Sequence, residues 1–202
     1  KVMTLCLTFD AIEAGQLSLG DMLSASAHAA SMGGSDIWLK EGEQMCVDDL
    51  IKATVIMSAN DAAVVLAENV AGSEEAFVAK MNQRAQELGM GDTSFKNCNG
   101  LDEEGHVTSA YDVALMSREL LTHPKITDYT LTWIDYVRDG GTQLVNTNKL
   151  IRSYQGITGL KTGTTSQAGS CITATAERNG MKLIAVVLGA PSTDDRFRDA
   201  AA

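Results

Sequence analysis

Residues 170–188, SCITATAERNGMKLIAVVL, set Ile172, Ala174 and Ala176 against Thr173, Thr175 and Glu177 along one strand. Asn179-Gly180 then supplies the two-residue turn that leads into a second, apolar strand. The alternation and the turn together read as a β-hairpin. Residues 156–164, GITGLKTGT, read as a preceding strand, and residues 194–201 as the start of a helix. The C-terminal part is therefore expected to be an antiparallel sheet with a helix after it.

Upstream the period changes to that of a helix. Residues 2–14 are apolar on most sides and end at Gly15, as a buried helix closed by glycine does, with Lys1 in its first turn. Residues 16–46 are broken by Gly20 and Gly33-Gly34 and read as loops and short elements, with one helical piece over 24–32. A helical period runs over 47–57, is interrupted at Ser58-Ala59-Asn60, and resumes over 61–70. Ser73 is placed to cap a helix running to Gly89. Another starts at Thr108 or Ser109, with Asp112 completing a capping-box variant, and stops before His123-Pro124. Helices followed by an antiparallel sheet make the expected class α+β, in one domain over residues 1–202.

Composition narrows the function. With 202 residues, 45% hydrophobic and 21% charged, the chain can bury a full core. Its net charge of −10 is not offset by any Lys/Arg cluster, which argues against a nucleic-acid groove or an anionic-lipid surface. No apolar run is long enough to span a bilayer. The chain opens at Lys1 without a signal-peptide pattern, so it is expected to be part of a longer one, with any membrane attachment lying outside it. Cys6, Cys46, Cys98 and Cys171 are far apart, form no C-x-x-C and have no histidine at metal-ligand spacing. Free thiols and no metal are expected, Cys6 and Cys171 being buried. His28, His106 and His123 have no acid at useful spacing and read as structural, and Trp38 and Trp133 as core or rim packing.

Three short motifs stand in a meaningful order: Lys1 at a helix start, Ser58-Ala59-Asn60 between helices, and Lys161-Thr162-Gly163 on a strand. Ser58 and Asn60 could simply cap the following helix, or could carry chemistry, or both. S-x-x-K, S-x-N and K-T-G are the signature of penicillin-binding proteins and class A β-lactamases. Together with Asp61-Ala62-Ala63, Leu88-Gly89-Met90, Asn99-Gly100-Leu101-Asp102 and Gly159-Leu160, they make nearly the whole chain resemble the low-molecular-mass D-alanyl-D-alanine carboxypeptidases.

That resemblance implies a β-lactamase/transpeptidase-like fold, a helical cluster packed on an antiparallel sheet with flanking helices. It implies a serine peptidase that trims the terminal D-alanine of peptidoglycan stem peptides through an acyl-enzyme, is trapped by β-lactams, needs no cofactor, and works outside the cytoplasm after export by an upstream signal peptide. The family's nucleophilic serine lies three residues before the motif lysine, here Lys1, and so falls upstream of residue 1. By the same resemblance Lys1 is the base, Ser58 a proton relay and Asn60 a holder of substrate. Lys161, Thr162 and Gly163 form the substrate strand, the Thr164 amide is an oxyanion donor, and Arg196 is a carboxylate ligand. Asn99 stands where the family can carry histidine. A class A β-lactamase is the nearest alternative, but no E-x-x-L-N-like loop lies between Asn60 and Lys161. A non-catalytic wall-peptide-binding module is the alternative of another kind.

Overall fold

A computed structural model describes all residues 1–202. Its sheet is built on the hairpin anticipated above. Asn179 (φ 50°) and Gly180 (φ 77°) occupy the two left-handed turn positions, Arg178 pairs with Met181, and β6 (Gly169–Arg178) and β7 (Met181–Ala190) run antiparallel from there. β5 (Ile157–Thr165) pairs with the other side of β6, with Lys161 opposite Thr173 and Gly163 opposite Cys171. The order β5-β6-β7 leaves β5 with one open edge.

β6 is buried on both faces at its centre. Thr173 and Thr175 are buried along with Ile172 and Ala174, because both faces of the sheet are covered. Ile172 and Ala174 pack with Leu150 and Phe197, the latter on α8 (Thr193–Ala201). On the opposite face the Thr173 hydroxyl meets Ser117 Oγ at 2.9 Å, a residue of α6 (Ala110–Leu120). Thr175 accepts a hydrogen bond from Thr158. Threonine suits this position, since its hydroxyl finds a partner while its methyl packs.

The helical part surrounds α4 (Asn60–Ala71), whose residues from Ala62 to Ala67 are all buried. A helix apolar on every side has to be central. Packed around it are α1 (Val2–Glu13), α2 (Ala27–Ala30), α3 (Val47–Lys52) and α5 (Glu74–Glu87). Lys1 sits at the cap position just before α1 rather than within its first turn. Ser73 and Ser109 cap α5 and α6 through their hydroxyls as expected. No helix is long and apolar enough to cross a membrane.

Several elements differ from the sequence reading. The helical piece over 24–32 shrinks to α2, because β1 (Met22–Ser24) pairs antiparallel with β2 (Gln44–Cys46). The helix over 47–57 changes at Ala53 into a π-helical turn, Ala53–Met57. Between the last long helix and β5 lie α7 (Ile126–Thr130) and the hairpin of β3 (Ile134–Val137) with β4 (Thr142–Val145). Trp38 is 71% exposed and belongs to no core, whereas Trp133 stacks against the Arg152 guanidinium at 5.0 Å. Two histidines do have acidic partners: His28 meets Glu74 at 2.6 Å, and His123 meets Glu13 at 2.7 Å. Those acids come from remote elements, where local spacing carries no signal. All four cysteines are unpaired; Cys6 and Cys98 are buried, while Cys171, expected buried, is only partly so.

One buried carboxylate ties segment 33–39 to the start of α4. Asp61, 1% exposed, accepts hydrogen bonds from the amides of Ile37, Leu39 and Ala62. Replacing it strands those buried donors. Asp61→Ala is expected to lower unfolding free energy by about 3 kcal/mol, measured as a fall in the urea midpoint at unchanged m-value, with Asp61→Asn recovering part of the loss. An unchanged midpoint would show that the tie carries no stability.

Candidate functional site

The corner before α4 is shaped by backbone geometry. The π-helical turn ends at Ser58, which is left-handed (φ 65°, ψ 30°), and Ala59 N–H reaches back to the Ala53 carbonyl. Ala59, not Ser58 or Asn60, holds the cap position, and no side chain caps the helix. The capping reading of Ser58 and Asn60 is thus overturned. Asn60 is instead fixed from segment 33–35: its amide donates to the Ser35 carbonyl, and Nδ2 donates to the Gly33 carbonyl at 2.7 Å. Gly34 is needed between them, because a Cβ there would come within 3.0 Å of Asn60 Nδ2 on a backbone at φ 84°.

Held in that way, Asn60 turns Oδ1 toward Lys1. Lys1 Nζ donates to Asn60 Oδ1 at 2.5 Å and to the Asn99 carbonyl at 2.7 Å. The segment carrying Asn99 is itself clamped, since Cys98 N–H donates to Glu74 and the Cys98 carbonyl accepts from Thr4. Burial lowers the Lys1 pKa to about 8, against the opposing pull of Cys98 and Asp61. A neutral amine is therefore accessible near physiological pH, as proton abstraction from a hydroxyl requires.

The β5 edge forms the facing wall. Lys161 is 8% exposed, and its Nζ donates only to the Thr162 carbonyl. Burial first, then the charges of Lys1 and Arg196, hold its pKa well below the usual lysine range. Thr162 Oγ1 pairs with Thr147 Oγ1 at 2.6 Å. Gly163 has open space where a side chain would stand, so an extended ligand backbone can approach β5 there. Arg196 is buried, and its NH1 donates to the Gly163 carbonyl, Thr164 Oγ1 and the Cys171 carbonyl. It braces the end of the strand, which leaves NH2 for a ligand.

Lys1, Ser58, Asn60, Lys161, Thr162, Gly163, Thr164 and Arg196 all line one cavity of about 370 Å³. Residues 1 and 161 are brought together by α1 and β5, at opposite ends of the chain. Three basic side chains, Lys1, Lys161 and Arg196, converge there in a chain of net charge −10, and an anionic group among them would favour the charged form of the lysines, so the cavity suits an anion. No group of three His, Cys, Asp or Glu side chains converges to hold a metal. Two contributors were not assigned from sequence. Thr147 has no motif around it, and the Asn99 carbonyl is a backbone group that side-chain identity does not reveal. Asp102 joins the rim by accepting from Ser166 Oγ and the Gln167 amide, which spans from the Asn99 loop to the β5–β6 turn.

This arrangement has relatives. Residues 1–192 match the family model described as D-alanyl-D-alanine carboxypeptidase. The chain is 49% identical over 199 residues to D-alanyl-D-alanine carboxypeptidase DacF of Bacillus subtilis, covering 97% of this chain and 51% of that protein. It is 36% identical to DacC of Escherichia coli, covering 98% and 51%. The chain thus spans about half the length of the curated relatives it matches. Among solved structures, penicillin-binding protein D2 of Listeria monocytogenes in its ampicillin-bound form aligns with a TM-score of 0.88 at 35% identity, covering 98% of this chain and 81% of that one. DacD of Francisella tularensis gives a TM-score of 0.91 at 29% identity, covering 99% and 61%. With the motifs in one cavity and the match running from residue 1 to residue 192, the chain belongs to the D-alanyl-D-alanine carboxypeptidase family.

Proposed function

We propose that the protein of which these residues are part is a serine-type D-Ala-D-Ala carboxypeptidase that removes the terminal D-alanine of peptidoglycan stem peptides and is acylated by β-lactams. The observation that carries this reading is the meeting of Lys1, Ser58, Asn60 and the β5 edge around one cavity. The nucleophile is the serine that the family pattern places three residues before Lys1. Export by an upstream segment, and action on the outer side of the membrane, belong to the same proposal.

Each residue then has a chemical task. Neutral Lys1 takes the serine proton as Oγ attacks the carbonyl of the penultimate D-alanine. The tetrahedral oxyanion is held by the Thr164 amide and the amide of that serine. Ser58, half-buried with its hydroxyl unengaged in the chain, passes a proton to the departing D-alanine amine; water then hydrolyses the ester by the reverse route. Asn60 orients both Lys1 and the substrate amide. The substrate backbone adds as a strand to β5, and its terminal carboxylate lies among Lys161, Thr162 and Arg196.

Two measurements on the full-length protein test this. Lys161→Ala removes a buried charge-assisted contact, worth about 1.5–3 kcal/mol, and should slow acylation by a fluorescent penicillin by roughly 10- to 150-fold while the protein stays folded. An unchanged rate would remove Lys161 from the site. Because Lys1 acts only when deprotonated, and its pKa is about 8, the acylation rate should climb between pH 6 and 9 and level off above the pKa. A rate that is flat over this range would exclude Lys1 as the base.

A further inference from the structure

Trp38 carries a feature that neither packing nor the cavity chemistry uses. It is 71% exposed at φ 54°, while its neighbours Ile37 and Leu39 are buried at 0% and 3%. A large aromatic gains a good deal by burial, so leaving one in water on a left-handed backbone needs something to hold it there. Three hydrogen bonds do so: the amides of Ile37 and Leu39 on either side donate to Asp61, and the Ile37 carbonyl accepts from Arg138 NH1. The ring is presented on a fixed backbone and cannot fold back into the core.

Beside it is an open hollow lined by Trp38, Lys40, Glu41, Gly42, Glu43 and Arg138, in which the indole is the one hydrophobic side chain. Arg138 uses Nε on Glu43 at 2.6 Å and NH1 on Ile37 and Thr142, leaving NH2 available, and Lys40 and Glu41 are exposed. A protein partner or a lipid would need more apolar area than one ring. One flat aromatic face with donors and acceptors of both signs at its rim matches a pyranose, which has an apolar C–H face and hydroxyl and N-acetyl groups around its edge.

Position supplies the rest. Segment 33–39 that presents Trp38 also lines the cavity at Gly34 and Ser35, and Ser35 accepts from the Asn60 amide. Three residues of extended chain span at most roughly 10 Å. We propose that Trp38, with Arg138 and Glu41, forms a subsite for an N-acetylated pyranose of the glycan strand that carries the stem peptide. This inference rests on the carboxypeptidase reading. It assigns to the molecule a way of recognising the stem peptide attached to its polymer rather than free.

The test compares release of D-alanine by the full-length protein from two substrates, a stem pentapeptide alone and the same peptide joined to its N-acetylated disaccharide. The wild type should favour the sugar-bearing substrate in kcat/KM by about tenfold, the scale of one aromatic contact. Trp38→Ala should bring the ratio of the two close to one, and Trp38→Phe should keep most of it. A ratio near one in the wild type, or an equal ratio in wild type and Trp38→Ala, overturns the proposal. If neither substrate is turned over, the carboxypeptidase reading fails by itself, and a binding measurement decides the subsite. Saturable quenching of tryptophan fluorescence by a β-1,4-linked N-acetylglucosamine oligomer, abolished in Trp38→Ala, supports it. No saturation at millimolar sugar overturns it.

Discussion

A helix whose first two turns are buried on every side cannot open its start to water, and α4 is such a helix from Asn60 to Ala67. The polar groups at its entrance must be satisfied from within the protein. Asp61 does this by drawing segment 33–39 onto the helix start, and Asn60 does it by bonding to Gly33, Ser35 and Lys1. The same requirement brings Lys1 to its place: α1 must lie against α4, and the lysine at its head must find partners in the interior. The site is thus a by-product of closing one helix end without solvent.

The electrostatics follow from that enclosure. Lys1, Lys161 and Arg196 lose hydration, and no carboxylate is hydrogen-bonded to any of them. Carbonyl oxygens, the Asn60 amide oxygen and the Thr164 hydroxyl accept their hydrogen bonds instead, so no formal negative charge is bonded to them. Elsewhere the protein pairs its charges readily, as Lys52 does with Asp48 and Asp49. The contrast marks the cavity as the place where folding leaves charge for something else to neutralise.

How much of this was legible in the sequence depends on the range of the information. Asn179-Gly180 announces its hairpin because a left-handed two-residue turn is a local demand, and Ser73 and Ser109 announce their helices for the same reason. The interruption at Ser58-Ala59-Asn60 was visible as broken periodicity, but the π-helical turn that makes it was not, since an i to i+5 pattern leaves no distinct apolar spacing. Strands as short as β1 and β2 fall below any alternation signal. The partners of His28 and His123, the second buried face of β6 and the exposure of Trp38 are all set by elements far away in sequence. For the candidate site, motif order picked out side chains that line one cavity; the Asn99 carbonyl and Thr147 belong to backbone and packing, which residue identity does not encode.

The open edge of β5 has one more consequence. An open strand edge would ordinarily invite a second copy of the chain to add its own edge, the usual route from a sheet to an aggregate. Here Thr130 of α7 covers the start of the edge by donating to the Thr158 carbonyl, and the strand from Lys161 to Thr165 lines the cavity. Ser58 and Asn99 line the same cavity, and the link from Asp102 to Ser166 and Gln167 ties the Asn99 loop to the β5–β6 turn. The walls that shape the cavity therefore also narrow the approach to the strand edge on which its ligand would lie.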